Sequence, residues 1–407
     1  MREGLTSGAR VRWEDGELEL RPRERFLPLL RAGVEAAPDR PEPRRRLARL
    51  LLQTEQLEEL EELATPALDD PGADPEVLHC LGLGALATER PELALRALRR
   101  AVDLGFTHSL GALANVLRDL GRDDEALTAA LQALELDPSN HSASGVVARI
   151  LLERGERERL WSLCQEIRRG GGWGAYLPSA MAVCARTGEQ HREVERLVGR
   201  EAWFLRRDLG LAPEFSRRLA EELLDLMGTG DLPRRKASTG TGRRIDQLQV
   251  VARTNPVVAE LFAALRAAIE EYLAEREDAL ADELLGQQLG GRLPDELSLG
   301  AWALAMRGDG HEEWHMHPSG WLSGVYYVEV PDMTASAAEH PGAIDFGPFP
   351  FTGVEEVPSW PPWRIAPRTG EMLLFPSSYA HRTWPTGVDE DRIVVAFDVL
   401  AAHPAEA

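Results

Sequence analysis

Residues 315–331 read HMHPSGWLSGVYYVEVP, and their order decides what the C-terminal half of the chain must be. From Leu322 to Val330, β-branched and aromatic residues crowd a short run closed by Pro331, which reads as a strand. Just ahead of it, His315 and His317 stand at i and i+2. On extended backbone such residues project to the same side, so both imidazoles can reach one metal ion. The same texture of short alternating runs broken by Gly and Pro continues outward from about residue 300. It predicts further strands over 301–306, 343–346, 371–375 and 392–400, a length and spacing that suggest a sandwich or barrel. A third histidine, His381, follows the predicted strand at 371–375, 64 positions beyond His317. Eleven residues later Arg392 opens RIVVAFDVL, where a lone cation among inward-facing aliphatic residues calls for an anionic partner. Two neighbouring histidines on a strand are common, but the ensemble of HxH, distal His and strand Arg is far more specific.

Composition supports a division into two unlike parts. At ~150 residues per domain, 407 residues predict two or three domains. Five of the ten histidines and six of the ten tryptophans lie between Trp302 and Trp384, about a fifth of the chain. The 67 acidic against 46 basic residues leave a formal charge of −21, which argues against a nucleic-acid partner or an anionic membrane surface. No run approaches the roughly 18 apolar residues of a membrane helix, and the N-terminal stretch does not read as a signal peptide. Cys80, Cys164 and Cys184, odd in number and widely spaced, fit a reducing compartment and read as buried packing residues. The expectation is a soluble, cytoplasmic protein.

The N-terminal part, from about Arg23 to Arg200, is rich in Leu, Ala, Arg and Glu at helical spacing. Its clearest unit is THSLGALANVLRDLGRDDEALTAALQALELDPSN, residues 107–140. Leu113, Ala114 and Leu117 line a first helix, Gly121 marks the turn, Ala126, Ala130 and Ala133 line a second, and Pro138 ends it. In length, small-residue positions and terminal proline it resembles a tetratricopeptide repeat (TPR). Weaker units follow the pattern at 75–106, from His141, from Gly174 through Gly188, and around Leu47 and Leu50. The resemblance implies a stacked helical solenoid whose concave face serves either a peptide or protein partner, or dimerisation and spacing.

Between the two parts, Pro213 to Met227 and Pro256 to Arg276 read as amphipathic helices, the second covering one side of a sheet. The intervening GTGDLPRRKASTGTGRR (228–244) fails the GxxxxGK[ST] pattern, lacks a preceding strand, and reads as a loop, not a phosphate site.

The segments 315–331, GEMLLFPSSYAHRTWP (370–385) and DRIVVAFDV (391–399) resemble the iron(II)- and 2-oxoglutarate-dependent oxygenases, in the form where TPRs precede a prolyl-hydroxylase-like domain. That resemblance implies a multidomain α then α+β chain. A TPR-like α-solenoid would occupy residues 1–200. A double-stranded β-helix (jelly-roll) with flanking helices would occupy 201–407. It implies iron(II) and 2-oxoglutarate as cofactors, with His315 and His381 in the two histidine-ligand roles. Arg392 then takes the role of the residue that forks onto the far carboxylate of the cosubstrate, and Tyr327 that of the strand tyrosine contacting the same group. Strand parity agrees, since 323, 325 and 327 share a face. The chain departs from the family at His317, where an Asp or Glu is usual, and at Val394, often Ser or Thr. Three readings stay open: His317 completes a three-histidine metal set, Asp345 or Glu313 supplies a carboxylate instead, or His317 stands behind the ligands.

The implied reaction is hydroxylation of a C–H bond, on a peptide or protein docked on the repeats. Rival readings are a cupin-like metal enzyme acting on a small molecule and a non-catalytic TPR scaffold with a ligand-binding barrel. HEEWH (311–315) also fits the zinc-protease pattern HExxH, but Gly308, Gly310, Pro318 and Gly320 leave no room for the helix it needs. Most of the tryptophans around the motif read as barrel packing, with one or two available to a pocket. Residues 348–362 read as a loop at the barrel mouth.

Overall fold

The computed structural model describes residues 12–13, 26–38, 40–170, 172, 175–199, 203–228, 239–276, 296–318, 320–351 and 357–401. They fall into two compact units. One holds the described residues of 20–184 together with Phe351; the other holds those of 1–19, 185–350 and 354–407.

The first unit is an array of helices: α1 (Leu27–Ala36), α2 (Pro41–Gln53), α3 (Leu57–Ala64), α4 (Pro75–Ala87), α5 (Pro91–Asp103), α6 (Leu110–Asp119), α7 (Asp123–Leu136), α8 (His141–Glu153), α9 (Arg157–Arg169) and α10 (Leu177–Cys184). The 107–140 unit is the pair α6–α7. Its small residues Ala114, Ala126 and Ala130 are wholly buried, which lets the paired backbones approach closely. The TPR-like reading is thereby met in detail, and the three cysteines are unbridged and buried in these helices. Burial pushes the Cys80 thiol up to about 12, so it behaves as a small apolar side chain.

The repeat is also written in the backbone. The turns after α2, α4, α6 and α8 each contain one residue with positive φ: Glu55 (57°), Glu89 (55°), Gly121 (72°) and Gly155 (71°). Each turn closes with the same two bonds. The N–H of Gly121 donates to the Arg118 carbonyl and that of Arg122 to Leu117, just as Glu89 and Arg90 donate to Leu86 and Ala85. This is the Schellman C-cap, which favours glycine because an L side chain in the left-handed region costs about 1–2 kcal/mol.

The second unit comprises β1 (Arg12–Trp13), α11 (Gly188–Val198), β2 (Leu205–Asp208), α12 (Pro213–Gly228), β3 (Gly242–Ile245), α13 (Leu248–Val251), α14 (Pro256–Ala274), β4 (Glu296–Met306), β5 (Leu322–Glu329), β6 (Ile344–Gly347), β7 (Trp363–Ile365), β8 (Glu371–Pro376), β9 (Ala380–Thr383) and β10 (Arg392–Ala401). A seven-stranded sheet runs β1-β4-β10-β5-β8-β2, with β3 also paired to β4, and a three-stranded sheet runs β7-β6-β9. Together they form the jelly-roll expected from the sequence.

Period-2 alternation sorts the large sheet into two faces. Leu299, Ala301 and Ala303 of β4, Tyr326 and Val328 of β5, Met372 and Leu374 of β8, and Val395, Phe397 and Val399 of β10 pack with Leu219 and Leu223 of α12 and Leu261, Leu265 and Ile269 of α14 in one buried core. That fixes the intervening residues to the opposite face, toward the small sheet, where Phe346 meets Phe375 edge-on at 4.8 Å.

The sequence reading needs correction at several strands. β2, β3, β7 and β9, besides the two-residue β1, are additional to the five predicted. The end of the 228–244 stretch is not loop: GRRI forms β3, pairing antiparallel with β4, while residues 229–238 lie outside the described set. His381 follows β8 as read, and itself sits within a further short strand, β9. These strands were missed because they are only three or four residues long, too short for alternation to register. No helix among the described residues is long and apolar enough to cross a membrane.

The turn geometry is testable. No heavy atom lies within 4 Å of where a Gly121 Cβ would stand, so Gly121→Ala should cost only the backbone term, about 1–2 kcal/mol, and Glu89→Gly should be neutral to slightly stabilising. Urea unfolding followed by helical signal reads both. An unchanged midpoint for Gly121→Ala would contradict this account of the repeat turn.

Candidate active site

The inner face of the jelly-roll encloses a cavity of about 270 Å³. Among its lining residues are Trp302 of β4, Val325 and Tyr327 of β5, Phe375 of β8, His381 and Thr383 of β9, Arg392 and Val394 of β10, and Trp314, His315 and His317 of the segment before β5. Of the five residues singled out from sequence, all five line this one cavity.

Backbone pairing brings the histidines together. His315 and His381 form an antiparallel bridge, the His315 N–H donating to the His381 carbonyl at 2.9 Å and the His381 N–H to the His315 carbonyl at 3.0 Å. The His317 N–H donates to the Ser377 carbonyl at 3.2 Å. The rings follow: His315 and His381 have centroids 4.3 Å apart, His317 and His381 5.1 Å, and one nitrogen of each lies within 4.8 Å of the others.

Each imidazole has its Nδ1 committed elsewhere. His315 Nδ1 donates to the Glu313 carbonyl at 2.7 Å, His381 Nδ1 to the Tyr379 carbonyl at 3.0 Å, and His317 Nδ1 to Asp398 Oδ1 at 2.6 Å. With the proton on Nδ1, Nε2 carries the lone pair, the form a metal ligand requires. Burial first, and the neighbouring imidazoles second, hold His381 and His315 below the ordinary histidine pKa, so both rings stay neutral near pH 7. The donor set therefore suits a divalent transition ion.

Arg392 stands at the other end of the cavity. It is 3% exposed, and its guanidinium donates to the carbonyls of Gly342 (2.9 Å) and Trp384 (3.4 Å) and to Thr383 Oγ1 (3.3 Å). Its Nε has no partner and no carboxylate lies within ion-pair distance among the described residues. Burial lowers its pKa below the usual arginine value. A buried cation that lacks an anion is costly unless a ligand supplies one. Tyr327 faces it, wholly buried, its hydroxyl kept protonated by that burial. A bulge separates Ile393 from Val394 in the pairing with β5, next to Arg392.

The carboxylates considered as alternative ligands are spoken for. Asp345 receives Arg364 at 2.5 and 2.9 Å, Arg382 at 3.1 Å and Trp384 Nε1 at 2.8 Å, while Glu313 accepts from His311 Nε2 at 3.2 Å. His311 and His315 lie on no helix, so the HExxH pattern has no structural counterpart. Of the tryptophans, Trp302 and Trp314 line the cavity, Trp321 packs in the core under the helices, and Trp384 carries the guanidinium groups of Arg364 and Arg382. Residues 348–351 and 357–362 carry no regular element, and 352–356 lie outside the described residues. The sequence reading missed Asp398, Ser323, Ser377 and Arg244. Parity was the available signal for Asp398, which shares the face of Arg392 along β10.

Residues 300–398 match the family model described as "Putative 2OG-Fe(II) oxygenase". Residues 300–398 are a 2OG-Fe(II) oxygenase domain. Its cofactors are iron(II) and 2-oxoglutarate, and the histidine cluster in the oxygenase domain has the chemistry to hold the former. Among solved structures, the chain is similar to the non-heme α-ketoglutarate-dependent epimerase SnoN from nogalamycin biosynthesis, at 16% identity over 52% of this chain and 83% of that one, TM-score 0.36. It is similar to a Pseudomonas putida prolyl-4-hydroxylase at 11% over 50% and 94%, TM-score 0.34. The TPR protein YrrB matches at 18% over 41% and 90%, TM-score 0.34. No curated protein matches in sequence.

The neutral histidines give the metal-free oxygenase domain a pH signature. Unfolded histidine binds a proton near pH 6.5, whereas folded His381 and His315 resist it, so the unfolded state holds more protons as pH falls below that value. Stability of the chelated protein should therefore drop from about pH 6.5 downward, and His381→Leu should flatten that slope in thermal melts between pH 7.5 and 5. Equal slopes for both proteins would contradict it.

Proposed function

We propose that this protein is a 2-oxoglutarate-dependent hydroxylase of C–H bonds, with the helical repeats in the unit of residues 20–184 and the oxygenase site in the other unit, so that the boundary expected near residue 200 falls near 184. His315, His317 and His381 would hold iron(II), and Arg392 with Tyr327 would hold 2-oxoglutarate. The observation that carries this reading is the pairing, in one 270 Å³ cavity, of three clustered imidazoles with a buried guanidinium that has no carboxylate partner among the described residues. A dicarboxylate fits that polarity, since one end can meet the metal and the other the guanidinium.

Iron(II) held there would supply the redox chemistry by which dioxygen is consumed, one oxygen atom ending in succinate as 2-oxoglutarate loses CO2 and the other converting the substrate C–H to C–OH. The chain's own part is positional. Nδ1 bonds to the Glu313 and Tyr379 carbonyls fix two imidazole rings, and the hydroxyl of Tyr327 and the fork of Arg392 orient the cosubstrate carboxylate. Val325, Phe375, Val394 and Ala396 keep the cavity wall apolar and restrict water. Trp302 and Trp314 are the aromatic wall available to substrate. The substrate is proposed to be a peptide or protein side chain, delivered by a TPR-like array whose groove is of the kind that binds extended chains.

Succinate formation coupled to oxygen uptake, measured on iron-loaded protein with candidate peptides, tests the reading; neither 2-oxoglutarate binding nor its turnover would leave a ligand-binding scaffold. His381→Ala should abolish metal binding. Arg392→Ala should leave metal binding in place and weaken 2-oxoglutarate by about 100-fold, roughly 3 kcal/mol for a lost charge-assisted fork. Full activity in either variant would overturn that residue's role.

A further inference from the structure

Three histidine side chains bring no carboxylate of the protein to a divalent ion, and the nearest one lies one hydrogen bond behind His317. Asp398 is a carboxylate with only 17% of its side chain exposed, and its Oδ1 accepts from His317 Nδ1 at 2.6 Å. Ser323 Oγ donates to the same oxygen at 2.6 Å and sits 3.1 Å from His317 Nδ1. Ser323 is in turn 2.7 Å from Ser377 Oγ, and Ser377 contributes the carbonyl that holds the His317 backbone. Asp398 and Ser323 are direct cross-strand partners on β10 and β5, so the sheet register itself presents this pair.

The packing admits nothing else there. A Cβ on Gly320 would fall 2.5 Å from Ser377 Oγ and 3.2 Å from Asp398 Oδ1, so glycine lets the chain pass tightly over the network. A largely buried carboxylate without a full cation is costly by itself. Its cost falls when the imidazole it touches gains positive character, which happens when Nε2 binds a metal ion.

We propose that Asp398, acting through His317, supplies the anionic charge of the metal site: it fixes the Nε2-donor tautomer of His317, strengthens that nitrogen as a ligand, and is itself stabilised by the bound ion. Asp398 is a positioning residue, and the proposal rests on the reading of His317 as a ligand. The carboxylate–histidine–metal arrangement is worth roughly 10–100-fold in metal affinity where it occurs.

Cobalt(II) affinity, read by competition with a chromophoric chelator in the full chain, tests this without turnover. His317→Ala is the control for the ligand reading: unchanged affinity there overturns that reading and this inference with it. With His317→Ala weakened, Asp398→Asn should lose about 10–100-fold in affinity. Unchanged affinity in Asp398→Asn overturns the proposal and leaves the ligand reading standing. A second background separates charge relay from mere packing. In His317→Asp the metal-facing residue carries its own negative charge, so adding Asp398→Asn should leave affinity unchanged or tighten it by removing a facing carboxylate. An equal loss in both backgrounds would make Asp398 a packing residue only, against the proposal. Melting of the metal-free variants reports that each has folded.

Discussion

Two backbone hydrogen bonds between His315 and His381 carry the site. They tie the segment before β5 to β9 of the small sheet, and because both are bonds of one antiparallel bridge they also hold the two side chains on a common side. Every other feature is placed relative to that stitch. His317 joins by the period-2 rule, Phe375 packs against the His381 ring, and β10 delivers Arg392 and Asp398 to opposite ends of the same face. Losing the bridge would separate the imidazoles however well the strands packed.

Much of this was legible in the sequence because it depends on parity. The run Leu322 to Val330 and the run from Arg392 are long enough for alternation to show which residues face inward, and His315, His317, His381, Tyr327 and Arg392 line one cavity in the fold. What escaped were short strands and conditional partners. Gly242 to Ile245 looks like a linker because three of its four residues are glycine or arginine, and only the edge of β4 gives them a ladder to join. Asp345 looked free to reach a metal. In the fold Arg364, Arg382 and Trp384 converge on it from neighbouring strands, a set of partners spread over 39 residues of sequence.

The helical unit shows the opposite balance. Its repeat is carried by local rules, small residues at helix contacts and a left-handed residue at each turn, so residues 107–140 alone disclose it. Where Glu55 and Glu89 replace glycine at that turn, the Schellman bonds persist, which means stacking outweighs a local strain of about 1–2 kcal/mol. The cavity gathers histidine, tyrosine and arginine side chains, with Glu312 and Glu313 also on its lining.

The most direct measurement is a crystal structure from protein grown anaerobically with iron(II) and 2-oxoglutarate, with anomalous scattering recorded at the iron edge. The account predicts one iron peak bonded to His315, His317 and His381, and a cosubstrate whose far carboxylate meets Arg392. Iron bound without His317, or a cosubstrate carboxylate placed away from Arg392, would contradict it.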